Sequence, residues 1–221
     1  MAYVLGVFFT DGTLGKKHSL LSVSQKETEL LEKLKVLMES DAILDHSARR
    51  EYENTVSGEI YQLRFCSKPL YDDLLKLGLT PNKSLTMKFP FMPIGLRRHF
   101  IRGCWDGDGS VYIDKQSSRV RASFVCGSLK FIEMLVFELS KAGLKDSKIH
   151  LRDGRNPSYS IRYTGAECEK LYCFLYYKVA PKLYLSRKHD VFYDSFGELG
   201  KKWILNPDFL IDGRMYPVRF A

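Results

Sequence analysis

Two short runs of this chain place carboxylates where they could act together on a phosphodiester. The first, Val4–Gly12, reads V-L-G-V-F-F-T-D-G, and the second, Phe100–Ser110, reads F-I-R-G-C-W-D-G-D-G-S. Each run has one glycine six positions before another, Gly6 to Gly12 and Gly103 to Gly109, and an Asp (Asp11 or Asp108) just before the last glycine. Each reads as a short helix closed at its final glycine, where a left-handed residue is least strained without a Cβ. Gly6 with Thr10, and Gly103 with Gly107, put small residues four apart on one helix face, so two backbones can approach closely. Helices packed through those faces would deliver Asp11 and Asp108 side by side. Adjacent carboxylates repel, which calls for a raised pKa or a bound cation. A hard divalent ion such as Mg²⁺ takes oxygen from few carboxylates and engages substrate phosphates. An EF-hand reading of Asp106–Ser110 fails, because Val111 stands where that loop needs glycine and Ser117 where it needs a bidentate Glu.

The elements needed to position these acids occur twice. After Gly12, the run T-L-G-K-K-H-S-L-L-S-V-S predicts a hairpin turning around Gly15–His18. Ser24-Gln25-Lys26-Glu27 reads as a capping box opening a helix whose core stripe is Leu30, Leu31, Leu34 and Leu37, running to about Ser40. A second strand pair occupies 41–66, where Tyr61, Leu63 and Phe65 alternate with Gln62 and Arg64. Ser67–Gly78 predicts a third helix, followed by a proline-punctuated connector. In the second half, V-Y-I-D-K-Q turns near Ser117–Ser118 into R-V-R-A-S-F-V. Gly127-Ser128 leads a helix to Gly143, a hairpin turns at Asp153-Gly154, and a helix spans 165–178. Tyr159–Tyr163 echoes Tyr61–Phe65, 98 positions earlier. Each half thus reads helix, hairpin, helix, hairpin, helix. The fold class is α+β, with two four-stranded antiparallel sheets carrying helices on one face. The expected layout is a first repeat at 1–90, a linker at 91–98, a second repeat at 99–200 and a tail at 201–221 without a counterpart.

Composition agrees with a polyanionic partner: 34 basic against 26 acidic residues give a net charge of +8, with pI near 9.1. Five cysteines without a C-x-x-C pair read as buried thiols of a reducing, intracellular setting, either a prokaryotic cytoplasm or an organelle. The five histidines lack zinc spacing. No stretch predicts a membrane span.

Ile101–Gly109 (I-R-G-C-W-D-G-D-G) resembles the signature of the LAGLIDADG homing endonucleases, and Val4–Gly12 is similar to a more degenerate copy, departing at Phe9 where the consensus has an acid. Two copies in one chain resemble the monomeric, double-motif branch. The resemblance implies αββαββα repeats forming a saddle over double-stranded DNA. It implies Asp11 and Asp108 as metal ligands, aided by the Thr10 and Gly107 carbonyls, with Mg²⁺ as the cofactor and Mn²⁺ or Ca²⁺ able to take its place. It assigns Lys83 and Lys188, each following its half's third helix, to stabilising charge at the scissile phosphates, and Gln25 to positioning the attacking water. Gly127 or Ser128 matches Gln25 in the second half, so that role is asymmetric.

Two-stranded ribbons fit the DNA major groove. The exposed strand faces and turns offer Lys16, Lys17, Arg49, Arg50, Gln62 and Arg64 from the first half. The second half adds Tyr112, Lys115, Gln116, Arg119, Arg121, Arg152, Arg155, Asn156 and Arg162. The preferred function is a site-specific double-strand DNA endonuclease acting as a monomer on a long asymmetric site. The alternatives on the same fold are a maturase binding intron RNA and a DNA-binding regulator without cleavage. Retention of both Asp11 and Asp108 favours the nuclease.

Overall fold

The structure is a computed structural model describing residues 1–15, 19–47, 50–52, 55–154 and 157–197, with the backbone alone at 50–52 and 55–57. In the first half, α1 (Ala2–Thr10) leads to strands β1 (Gly12–Leu14) and β2 (Leu20–Gln25), then helix α2 (Glu29–Leu37). Strand β3 (Leu44–Ser47), a small hairpin of β4 (Arg50–Tyr52) and β5 (Thr55–Ser57), β6 (Ile60–Cys66) and α3 (Lys68–Lys76) complete it. A 3₁₀ turn, Lys83–Leu85, lies in the connector. The second half contains α4 (Ile94–Asp108), β7 (Gly109–Ile113), β8 (Val120–Cys126), α5 (Leu129–Lys141), β9 (His150–Arg152), β10 (Ser158–Thr164) and α6 (Ala166–Tyr176). A second 3₁₀ turn, Pro181–Leu183, then leads to α7 (Ser186–Phe196).

The two main sheets are antiparallel, with orders β1-β2-β6-β3 and β7-β8-β10-β9. Once the β4–β5 insertion is set aside the topologies are the same, and so is the register. Arg64 stands opposite Ser22 and Ser22 opposite Thr13, just as Arg162 stands opposite Ser123 and Ser123 opposite Ser110. The core-facing partners Leu14, Leu21, Val23 and Leu63 in one sheet, and Val120, Ala122, Phe124 and Ile161 in the other, are buried. The predicted α+β repeat plan is therefore the observed one.

The halves meet along α1 and α4, and glycine is what lets them. A Cβ on Gly6 would overlap the backbone of Phe100, Gly103 and Cys104, and one on Gly103 would overlap the Tyr3 carbonyl. Around this crossing Phe9 packs edge-on against Phe100 at 5.2 Å, and Phe100 against Phe89 at 4.9 Å.

Several expectations need correction. Gly12 and Gly109 are not left-handed; Gly109 is extended at φ −71°, ψ 147°. Their glycines are needed for space, since a Cβ at Gly12 would strike Phe8 and one at Gly109 would strike Trp105. The helices run straight into strands, which places each Asp at a helix–strand junction. Ser24-Gln25 is no capping box: both residues belong to β2, and α2 starts at Glu29 after Thr28, without a side-chain cap bond. The sheet pairing of Ser24 with Gln62 and Gln25 with Tyr61 outweighs the local capping pattern. The expected linker is partly helical, because α4 begins at Ile94 right after Pro93, a residue suited to starting a helix. The β4–β5 hairpin and α7 are additional elements. α7 opens on S-R-K-H-D, with little apolar signal, and its stability comes from packing, such as Tyr172 stacked on Phe192 at 5.4 Å. Of the cysteines, Cys66 is exposed at a sheet end, and the other four are buried. Among the described residues no helix is long and apolar enough to cross a membrane. The 201–221 tail lies outside the described residues.

Candidate active site at the paired helix ends

The C-termini of α1 and α4 lie together, and the glycine contact that pairs the helices also shapes the site. A Cβ on Gly107 would meet Thr10 Oγ1 and Asp11 Oδ2, so the Asp11 carboxylate rests against bare backbone of the opposite repeat. Asp11 Oδ2 is buried without a hydrogen-bond partner, an orphaned acceptor of the kind a cation satisfies. Burial first, and the neighbouring Asp108 second, push the Asp11 pKa from 3.8 up to about 7, against the pull of Lys188, Lys83 and a hydrogen bond from Gln25. Asp108, open to solvent on one side but densely surrounded, is also raised by desolvation, with Lys83 and Lys188 opposing. The expected side-by-side arrangement of the acids is present. Gln25 is beside Asp11 and hydrogen-bonded to it. By sheet register the counterpart of Gln25 is Cys126 and not Gly127 or Ser128, since Gln25 stands opposite Tyr61 as Cys126 stands opposite Tyr159; there, Cys126, Gly127, Val125, Thr10, Lys83 and Asp108 help line a cavity of about 260 Å³.

Lys83 and Lys188 enter the site from opposite repeats, and both are buried. Lys83 Nζ donates to the Thr10 carbonyl at 3.1 Å and to that of Gly12. Lys188 Nζ donates to the carbonyls of Trp105 at 2.9 Å, Asp106 at 2.5 Å and Gly107 at 3.1 Å. Lys188 thus satisfies the last carbonyls of α4, and Lys83 the last carbonyl of α1 and the first of β1, so that each ammonium sits at the negative end of a motif helix's dipole. An ammonium has three donors. Lys188 has committed all three to α4, whereas Lys83 has committed two and keeps one. The twin lysines are therefore alike in place but unlike in capacity. Burial pulls the Lys188 pKa down to about 8 despite Asp106, Asp11 and Asp108 nearby, and lowers that of Lys83 as well.

Among the described residues no group of three or more His, Cys, Asp or Glu is arranged as a metal cluster. The donor set is two carboxylates and the Thr10 and Gly107 carbonyls, each carbonyl having a second lone pair beyond its lysine bond. With an unpartnered buried carboxylate oxygen between them, these all-oxygen donors fit a hard divalent ion and not zinc.

Residues that the motif reading left out hold the site in place. Asp106 is fully buried and accepts from Tyr3 Oη at 2.8 Å, Tyr176 Oη at 3.2 Å and the Leu185 amide at 2.8 Å. Burial raises its pKa to about 6. The equivalent residue in α1 is the apolar Phe9, so the repeats differ at their shared axis. Arg102, buried over the Tyr3 ring at 5.4 Å, donates to the carbonyls of Leu183 and Leu175. Arg102 and Asp106, opposite charges four apart in the stretch that the glycine spacing marks for close helix packing, were the available signal.

The raised carboxyls give the metal-free protein a definite pH response. Asp11 holds its proton in the folded state up to about pH 7 but releases it near 3.8 when unfolded, so the folded state binds more protons between those values. Stability should therefore fall as pH rises from about 4 to 7, and Asp106 acts with the same sign up to about 6. Denaturant unfolding with a chelator present measures this. Asp11→Asn should flatten the slope; an unchanged slope would show that Asp11 is not the group involved.

On the predicted DNA faces, Tyr112, Arg121, Arg152 and Arg162 share the side of the second sheet turned from the core, together with Ser110, Ser123, Val125, Ser160 and Thr164. Lys115, Gln116 and Arg119 are exposed in the β7–β8 turn. In the first sheet Gln62 and Arg64 face the same way as Thr13 and Ser24. Gln62 donates to Ser24 at 2.9 Å, and Arg64 is held by Asp45 at 2.6 Å. Arg121 is similarly paired with Asp114 at 3.2 Å. Lys16, Lys17, Arg49, Arg155 and Asn156 lie outside the described residues, as does the side chain of Arg50.

Residues 95–173 match the family model for the LAGLIDADG-like domain. Over most of its length the chain is similar in fold to solved structures of that group. The homing endonuclease I-WcaI bound to its DNA recognition sequence aligns at 15% identity over 85% of this chain and 84% of its own, with a TM-score of 0.56. I-DmoI in complex with DNA and Mn aligns at 18% identity over 80% and 97%, with a TM-score of 0.50. Full-length DUF199/WhiA from Thermatoga maritima aligns at 13% identity over 88% of this chain and 59% of its own, with a TM-score of 0.50. No curated protein matches by sequence search. The family match covers the second repeat, and over both repeats the fold is similar to that of these solved structures.

Proposed function

We propose that this protein is a site-specific DNA endonuclease of the homing type, hydrolysing one phosphodiester on each strand of a long asymmetric site as a monomer. The observation that carries the reading is the Asp11–Asp108 pair at adjoining helix ends, with one buried oxygen left unpartnered. The likeness in fold to I-WcaI and I-DmoI, solved on DNA, supports double-stranded DNA as the partner. Asp11 and Asp108, with the Thr10 and Gly107 carbonyls, would hold a divalent cation, with Mg²⁺ the expected ion. When bound, such an ion lowers the pKa of water and offsets charge building on the phosphate.

The chain's own groups prepare that chemistry. Lys83 and Lys188 fix the helix ends that carry the acids and supply positive charge beside the reacting phosphates. Lys83 keeps a proton with which it can donate to a phosphate oxygen. Gln25 orients water on the Asp11 side. The maturase and non-cleaving alternatives need a basic sheet surface but no paired acids, and the strained acid pair favours the nuclease. Incubating a randomised DNA library with Mg²⁺, with and without chelator, tests the reading: recovery of cut molecules sharing one sequence supports it, and no cutting at any sequence overturns it.

Affinity should come from the basic sheet faces and so weaken steeply with salt. Neutralising about six or more phosphates predicts a slope of log K against log salt of about −5 or steeper. Titrations between 50 and 200 mM salt, a range in which such proteins lose ~10³-fold or more, measure it; a flat response would remove the proposed surface.

A further inference from the structure

Each lysine-bearing segment is braced by the repeat to which it does not belong. The segment carrying Lys83 is held where Ser128 Oγ, at the start of α5, donates to the Met87 carbonyl at 2.5 Å. The segment entering α7 is held from α2 of the first repeat. Lys33 Nζ donates to the Tyr184 carbonyl at 2.6 Å and to Ser186 Oγ at 3.3 Å, with its third proton on Glu29 Oε1 at 2.6 Å. The Ser186 amide donates to the same Glu29 oxygen at 2.9 Å. Between these two contacts, the Leu185 amide is bound to Asp106. Lys33 also lies 5.5 Å above the Tyr184 ring.

The geometry points to Glu29 and Lys33 as positioning residues: by gripping Tyr184 and Ser186 they set where α7 begins, and so where Lys188 meets the last carbonyls of α4. They touch no reacting atom. Their influence runs through three consecutive residues, 184–186, which are gripped alternately by α2 and α4. Lys188 stands two residues further on, less than one helical turn, so a displacement of the α7 entry is carried to its side chain. Burial would raise the Glu29 pKa, but the hydrogen bonds from Lys33 and Ser186 outweigh it and hold the carboxyl below its ordinary value. The latch is therefore charged and formed near neutral pH. The neighbouring pair Arg187–Glu27 at 2.9 Å is more than half exposed on both sides and adds little.

The catalytic readout rests on the nuclease reading, so the test has one arm that does not. In Lys33→Met, hydrogen exchange at the amides of Leu185 to Lys188 should speed up by about tenfold. On a duplex carrying the selected site, cutting of one strand should slow by about tenfold. The other strand and DNA affinity should stay within about twofold, so nicked product accumulates. Lys33→Arg, which keeps a donor for the Tyr184 carbonyl, should restore most of both. If Lys33→Met does not fold, Glu29→Gln keeps an acceptor for Ser186 and should show smaller shifts in the same amides and the same strand. Unchanged exchange in a folded variant, or equal slowing of both strands, overturns the proposal. If the wild-type chain cuts neither strand, it is the nuclease reading that fails, and exchange alone decides the latch.

Discussion

Replacing Asp11 or Asp108 with Asn should abolish double-strand cleavage, by about a thousandfold or more, while DNA binding stays within about tenfold. Asn keeps the size and one carbonyl oxygen but loses the charge that a divalent ion needs. In the folded protein the change also removes one of two repelling carboxylates, so each variant should be at least as stable as the parent at pH 7 without metal. That pairing of outcomes separates a lost ligand from a damaged fold. Affinity survives because it comes from the basic residues of the two sheets and not from the acids. Full cutting by either variant would show that its acid is not needed, and loss of binding in step with cutting would show that the acid acts on the fold. Both strands should be measured, since the sides differ in Gln25 against Cys126 and in the free donor of Lys83 against the fully committed Lys188.

The second large effect concerns the helix crossing. Gly6→Val or Gly103→Val should destabilise the protein by more than about 3 kcal/mol, because the new Cβ meets backbone of the opposite helix and not a movable side chain. The α1–α4 spacing would have to widen, parting the acids as it does so. Gly58→Ala offers a control, since nothing lies within 4 Å of its Cβ position, and should change stability by less than about 0.5 kcal/mol. Gly107→Ala falls between them: it presses on Thr10 and Asp11 side chains, so it should harm cutting more than folding. Denaturant unfolding of the four variants ranks them; a Gly103→Val protein as stable as its parent would refute the close crossing.

Much of this was legible from residue order because the chemistry is local. The spacing of Gly6, Thr10 and Asp11, and of Gly103, Gly107 and Asp108, states a close helix pair and two acids at one end, and both are found. Period-two alternation at 61–65 and its echo at 159–163 predicted the inner strands, whose register comes from their pairing with β2 and β8. Illegible were the features set by distant partners. Ser24-Gln25 carries a capping pattern, yet pairing with Tyr61 and Gln62 makes it strand. α7 has a polar first turn and depends on the aromatic rings of Tyr172 and Tyr176 for its seat. In the sequence Asp106 figures only within a rejected EF-hand loop, because its role needs Tyr3 and Tyr176, residues about a hundred and seventy positions apart, at either side of it. The lysines could be matched to each other by position; that one caps three carbonyls and the other two follows only from coordinates.

The crossed bracing, with Ser128 holding the loop beside Lys83 and α2 holding the entry to α7, has a consequence for how such a chain can be recombined. A hybrid made by joining the first repeat of this protein to the second repeat of a relative would inherit its sheet faces intact, and with them each half's share of sequence preference. It would not inherit matched grips on the two lysines, because each grip is written half in one parent and half in the other. Such a chimaera should recognise a composite target yet cut it poorly until residues 29, 33, 128 and 186, whose side chains make the grips, are exchanged as a set along with the helix-crossing glycines. Target choice in this architecture is inherited repeat by repeat, whereas competence to cut is inherited only by the pair.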